Sequence, residues 1–511
     1  MTTLRLGSNT IQARAGSSVA LPRLNSSTAN ADMIRIAIVD GQVVEDALIN
    51  VDVVAFAFDP SKNLSAPTID GTEMSTVTLT WPGTSDSSVD VYRSSVDLSI
   101  GSNQISARSG KSSDAITIYR VSSLVVVQAS NSSDAIEKMK AAWDGTSPAD
   151  VIEINYTESD FGRNVLDNIG SGLTSSRSGF LTVRPSVSGS ISFDTDGTVG
   201  TGDRFIPKLP SGADLCIESA TIGSAGSNTA VGYYDMTNHA GRLWLKNCTI
   251  LGKYNTTDYT ESDQFDSQYS TQWPRSLTNG IPVSATGCEW NGTVFKQATS
   301  GWELVRDCRF IQHRGDINNH GRLVVNNYCE DLGAITFPGG GDITHQDLFQ
   351  TWGQDSGWDP SDVIIYGIRV GQNNLEEFDG QPVFFSRTFN PRYERIIVDT
   401  VTVDVPADTV RATQFAGAAS NVRVSNLTHP SQRVIFRMFS ADGTAWNPDS
   451  LVFFDNWDID YVSIVEESGS TTIKLADLAN PPEAAPEMNN DSRLQGSSGQ
   501  TPTHSNITLN E

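Results

Sequence analysis

The groups best suited to chemistry crowd into residues 344–353: His345, Asp347, Gln350 and Trp352 lie within one short run. On one face of a strand, His345 and Asp347 could serve as a base and the group that orients it. Glu376, Glu377 and Asp379 follow as further carboxylates, and Arg387 as a cation. A second cluster, His313, Arg314, Asp316 and His320, precedes them. Two carboxylates about 5–5.5 Å apart suit retaining glycoside hydrolysis, and about 6.5–9.5 Å suit inverting hydrolysis. An elimination would instead need a base near the sugar C5 and a cation against the uronate. Catalytic roles are therefore expected of His345, Asp347, Glu376, Glu377 and Asp379. Sugar contacts are expected of Gln350, Trp352, His313, Arg314 and Arg387. Each cluster also reads as a hydrogen-bonded structural ladder. Asp355, Asp359 and Asp362 lack the EF-hand spacing. No metal site or cofactor is expected, with Ca²⁺ left open.

The elements that must hold these groups follow from a repeated frame: apolar, any residue, turn-former, apolar, any residue, usually apolar. It starts at Ile217, Leu245, Ala285, Val305, Val325, Ile365, Val398, Val424 and Phe454. The third place is always Ser, Asn, Gly, Asp or Thr. These residues bend a chain at little cost. Several spacings are 20 or 40 residues, so a coil is also due near 345. There the frame puts His345 in an apolar place and Asp347 at the corner. Pro338 and Gly339–Gly341 leave a register shift open as an alternative. Short β-branched runs broken by Asn and Gly indicate strands. Self-similarity at this period indicates stacked coils that bury a shared apolar column. The expected fold is all-β, a right-handed single-stranded parallel β-helix; a β-sandwich with coincidental repeats is the alternative. Cys248, Cys288 and Cys308 share the fourth place and read as small buried side chains in one column.

Before the repeats, residues 1–65 read as an N-terminal β attachment domain. Residues 66–128, with Trp81 on an alternating strand and Val91-Tyr92-Arg93-Ser94 on the next, resemble a fibronectin type III module. Residues 129–475 hold a capping helix and the β-helix. The helix is expected over 133–143, with a capping-box-like start at Asp134 and one face of Ile136, Met139 and Trp143. Residues 251–280 interrupt the repeats with aromatics among acids; Tyr259 and Trp273 are expected to contact sugar. Residues 476–511 read as a C-terminal tail.

A net charge of −25 on 511 residues disfavours nucleic acid and anionic membrane as partners. Five cysteines without a CxxC pair imply neither zinc nor a disulfide framework. No apolar run is long enough to span a membrane, and the first residues lack the apolar core of a secretory signal.

The arrangement of small β domains, capping helix and parallel β-helix resembles a bacteriophage tailspike or related virion spike of pectate-lyase-like fold. The resemblance rests on architecture over about 150–460 and on the repeats. It implies a homotrimer on the phage particle, joined to other virion proteins through its N-terminal domains. It also implies a bacterial surface polysaccharide as ligand, bound and in some members depolymerised. A free extracellular polysaccharide lyase or hydrolase and a non-catalytic fibre are the competing classes.

Overall fold

The structure is a computed structural model. It describes residues 32–58, 63–169, 173, 175–193, 212–222, 241–251, 283–292, 294–300, 302–319, 321–332, 347–351, 361–371, 380–385, 392–404, 413–415, 418–428, 433–437, 452–455, 461–466, 469–474 and 507–510. The chain is all-β, and its main body is a parallel β-helix. One 19-stranded sheet collects the strands at the repeat frames, each pairing in parallel with the frame of the next coil. From Val294 an eight-stranded sheet forms a further wall.

The corner in each frame has a physical signature. Its third residue takes a positive φ in coil after coil: Ser219, Asn247, Gly287, Asp307, Asn326, Gly367, Thr400 and Asn426, all between 48° and 79°. Ser, Asn, Asp and Gly are the cheap choices at such a bend, which explains the frame. The flanking first, fourth and sixth places point inward, as Ile217, Ala220 and Ile222 show, all essentially without solvent contact.

The register corrects the expected frame at one coil. Val305 faces Val324, and Val324 faces Ile365, so the frame starts at Val324 and not Val325. Asn327 therefore points inward and Tyr328 outward, the reverse of the expectation. Cys288 and Cys308 do lie at one level in neighbouring coils, because Glu289 faces Arg309. The coil due near 345 does not exist: Leu323–Glu330 pairs directly with Ser361–Val370. The short strand Phe349–Thr351 lies in the eight-stranded wall instead.

The helix Ser132–Asp144 closes one end of the stack. Its N-cap is Asn131, whose side chain accepts the Asp134 amide, while the Asp134 carboxylate accepts the Ser130 amide. Ala135, Met139, Ala142 and Trp143 cover the core; Ile136, expected on that face, is only partly buried.

The expected boundary at 65/66 does not separate two packed units. Leu48–Phe56 pairs along most of its length with Ser87–Asp97, so residues on both sides of 65 build one two-sheet sandwich. The sandwich lies along the flank of the β-helix. Met33, Val54, Phe56 and Val91 pack against an outward row that includes Trp244, Leu323, Ile364 and Ile397. The Phe180 amide donates to the Gly41 carbonyl at 3.1 Å, and Gly179, at φ 73°, allows this approach because a Cβ there would meet that oxygen. Arg242 pairs with Asp40 at 2.9 Å, Asn326 donates to the Thr80 carbonyl at 3.0 Å, and Tyr366 to the Asp90 carbonyl at 2.7 Å.

Candidate functional site

Of the residues expected at a site, Asp347, Gln350 and His313 are described with their side chains, and all three are buried. Asn318 faces Phe349 and Phe349 faces Val383, which puts Asp316, Asp347 and Gln381 at one level of three successive coils. A carboxylate oxygen of Asp316 accepts the Asp347 amide at 3.2 Å, and one of Asp347 accepts the Gln381 amide at 2.8 Å. His313 Nε2 donates to the Asp316 carbonyl at 3.1 Å. Asp347, expected to be catalytic, and Gln350 and His313, expected to contact sugar, therefore lie in the interior of the wall, where Asp316 and Asp347 stitch coil to coil. The physical reason is that an inward polar group must find a partner, and for Asp316 and Asp347 the partners are backbone amides of the next coil. Arg314 lies on the strand Arg314–Asn319, with its side chain outside the described set. His345, Trp352, Glu376, Glu377, Asp379, Arg387, Tyr259 and Trp273 lie outside the described residues. Asp362, considered for a cation, is instead ion-paired with Arg395 at 3.1 Å and with Arg35 at 3.8 Å. Among the described residues no group of three or more His, Cys, Asp or Glu could hold a metal ion.

Asp347→Asn keeps an oxygen for the Gln381 amide and is expected to leave stability and ligand binding close to wild type. Asp347→Leu removes that acceptor and is expected to cost about 1–3 kcal/mol. Denaturant midpoints of the two variants check this; a drop in ligand binding in the Asn variant alone would return Asp347 to a functional role.

An outward row shows a different character. The fifth place of the frame, just past the corner, stacks from coil to coil as Thr221, Thr249, Glu289, Arg309, Tyr328, Arg369, Thr402 and Thr428. Thr at both ends is ordinary for an outward strand position. The central four change to acid, base, aromatic and base, partly exposed and about 4.8 Å apart per coil. Arg309 reaches Glu289 at 3.3 Å and Glu330 at 2.6 Å from its two terminal nitrogens. Arg369 reaches Asp404 at 3.0 Å and, across the domain contact, Asp86 at 3.3 Å. Gly83, in the same turn of the sandwich as Asp86, comes up against the Arg309 side chain. Tyr328 sits between the two arginines, and Gly371 leaves the space that its hydroxyl fills. Burial and then the Glu330 carboxylate push the Tyr328 phenol above its ordinary pKa.

The expected frame start at Val325 hid this row by turning Tyr328 inward. With the start at Val324, the run Thr, Thr, Glu, Arg, Tyr, Arg, Thr, Thr can be read at fixed places in the sequence.

No family model, curated protein or solved structure matches this chain.

Proposed function

We propose that the protein is a virion surface spike that binds a bacterial surface polysaccharide, with the row Glu289, Arg309, Tyr328 and Arg369 as its sugar contact. The observation that carries this reading is the switch of one outward column from threonine to charged and aromatic side chains over four consecutive coils. Sugar rings offer an apolar face and a rim of hydroxyls. A partly exposed tyrosine can stack on such a face, and flanking carboxylates and guanidinium groups can bond hydroxyls. Stacked coils hold these groups on rigid strands, so little conformational entropy is lost on binding. A coil spacing of about 4.8 Å is close to the length of one sugar unit, so a chain lying along the row could meet a residue at each level. The reading favours holding over cutting at this place: the two glutamates that flank Arg309 both engage its guanidinium. The virion setting and a homotrimer come with the tailspike resemblance and belong to the same proposal.

The test is binding of the purified protein to capsular and lipopolysaccharide fractions, with chain length of the polysaccharide followed in parallel. Tyr328→Ala is expected to weaken binding roughly ten-fold, about 1.4 kcal/mol, at an unchanged unfolding temperature. Equal binding by wild type and Tyr328→Ala would remove the row from the site. Shortening of the polysaccharide would show cleavage and move attention to carboxylates elsewhere. Co-sedimentation with phage particles tests the virion setting separately.

A further inference from the structure

Residues 4–18 repeat residues 98–112 without a gap. Leu4, Gly7, Ser8, Asn9, Ile11, Ala13, Arg14, Gly16 and Ser18 equal Leu98, Gly101, Ser102, Asn103, Ile105, Ala107, Arg108, Gly110 and Ser112, nine identities in fifteen positions. In the described copy the identities fall on the residues that make the hairpin. Leu98, Ile105 and Ala107 are buried in the sandwich. Gly101 and Gly110 have φ of 106° and 55°. The Asn103 side chain closes the preceding turn, accepting the Ser99 amide at 2.9 Å and donating to the Ser99 and Gly101 carbonyls at 2.7 and 3.0 Å. Each of these six has its identical counterpart in 4–18. Of the six differences, Ser99, Ile100, Gln104 and Lys111 are exposed, Ser106 is half-buried and Ser109 is buried, with Ala15 at the place of Ser109. Such a pattern preserves the conformation of the strand and its turn.

The sandwich has a place for a further strand. The strand Gly101–Ser109 pairs along its whole length with Ser112–Arg120 on one side. On the other side Thr68–Ile69 faces only Arg108 and Ala107, and the Asp70 amide reaches the Ser106 carbonyl. Over Gly101–Ile105 that edge has no neighbouring strand among the described residues. Strand alternation turns the backbone groups of Ser102 and Gln104 to the same side as Ser106, out of this open edge. Ile100, beside it, is 66% exposed.

The chain can reach. Asp32 is held at the far end of the same strand, where Ser109 and Ser112 donate to it. Residues 25–31 can span up to about 25 Å. The distance from Ser109 back to Ile105 is about 13 Å.

We propose that residues 4–18 form a second copy of this strand and its turn and add the strand, within the same chain, to the open edge at Gly101–Ile105. The added strand closes an edge that would otherwise offer a template for pairing with other chains. This inference does not depend on the polysaccharide reading.

The test is amide hydrogen exchange on the full chain, comparing wild type with the double variant Ile11→Asp, Ala13→Asp. In wild type the Ser102 and Gln104 amides exchange slowly. In the variant they exchange at least about ten-fold faster, while the Ile116 and Ile118 amides are unchanged. Fast exchange at Ser102 and Gln104 in wild type, or equal rates in both proteins, overturns the proposal. Protection that falls on dilution of the wild type also overturns it, because it assigns the added strand to a second copy.

Discussion

Asp52→Asn is expected to lower stability by about 3–5 kcal/mol and to loosen the sandwich from the flank of the β-helix. Asp52 lies buried between two arginines. Arg93, from the neighbouring sandwich strand, grips both of its oxygens at 2.6 and 2.9 Å. Arg306, from the β-helix, reaches it at 2.6 Å and also donates to the Ala37 carbonyl at 2.6 Å. Neutralising the carboxylate leaves the buried Arg306 guanidinium with much less compensation at the seam of the two units. The apolar contacts around Trp244, Leu323 and Phe56 would remain, so the loss should be partial and measurable. Replacing Asp52 and Arg306 together by Leu and Met should recover part of it, since the more buried of the two arginines is removed with the carboxylate and Arg93 is partly exposed to solvent. Denaturant unfolding of the single and double variants checks the magnitudes.

The same group makes the docking sensitive to acid. Burial works to raise the Asp52 pKa, but hydrogen bonds and charge from Arg93 and Arg306 outweigh it and hold the value below that of a free aspartate. A carboxylate depressed in the folded state contributes its stability above the unfolded pKa, about 3.9, and loses it as pH falls through the folded value. Trp244 lies in the docked interface, so its fluorescence should report solvent entry in that acid window. In Asp52→Asn that acid step should be absent. An identical acid transition in both proteins would assign it to other carboxylates.

The coils were readable because their cause is local. A backbone bend with positive φ needs Ser, Asn, Asp, Gly or a tolerated Thr, and inward places beside it need apolar side chains. Both demands leave marks at fixed spacing. The expected start at Val325 slipped by one because Val324 and Val325 are both apolar and Asn326 and Asn327 are both turn-formers. Nothing within that coil breaks the tie; only its neighbours do. The docked sandwich was hidden for a related reason. Leu323-Val324-Val325, Ile364-Ile365 and Ile396-Ile397-Val398 are continuous apolar runs, the mark of strands buried on both faces. The inner face belongs to the β-helix and the outer to the sandwich, whose strands lie more than 200 residues away in sequence. A local frame can show that a face is covered but not by what. Asp347 misled for the opposite reason. A carboxylate in an apolar place marks either a site or a backbone partner, and the partner here is one coil ahead at Gln381.

Asn327→Leu is expected to cost more than its chemistry suggests, about 2–4 kcal/mol, although neighbouring coils carry plain hydrophobes at that level. The column reads Ala220, Cys248, Cys288, Cys308, Asn327, Ile368, Val401 and Leu427. In its middle the side chains act on the corner of the preceding coil. Cys288 Sγ accepts the Cys248 amide at 3.4 Å and donates to the Leu245 carbonyl at 3.4 Å. Asn327 repeats both bonds two coils on: its oxygen accepts the Cys308 amide at 2.9 Å, and its nitrogen donates to the Val305 carbonyl at 3.4 Å. Cys248 likewise donates to the Ile217 carbonyl at 3.3 Å. The left-handed corner turns these backbone groups away from the regular ladder, so a short side chain that both accepts and donates is the economical answer. The cysteines are therefore more than small hydrophobes, and burial pushes the Cys248 and Cys288 thiols well above their ordinary pKa, which keeps the donating hydrogen in place. Leucine at 327 leaves a buried amide and a buried carbonyl without that side chain. Cysteine restores both bonds in weaker form, so Asn327→Cys should lose roughly half as much as Asn327→Leu. Urea midpoints of the two variants decide it: equal losses would mean that packing volume, and not the pair of backbone bonds, selects the residue at this level.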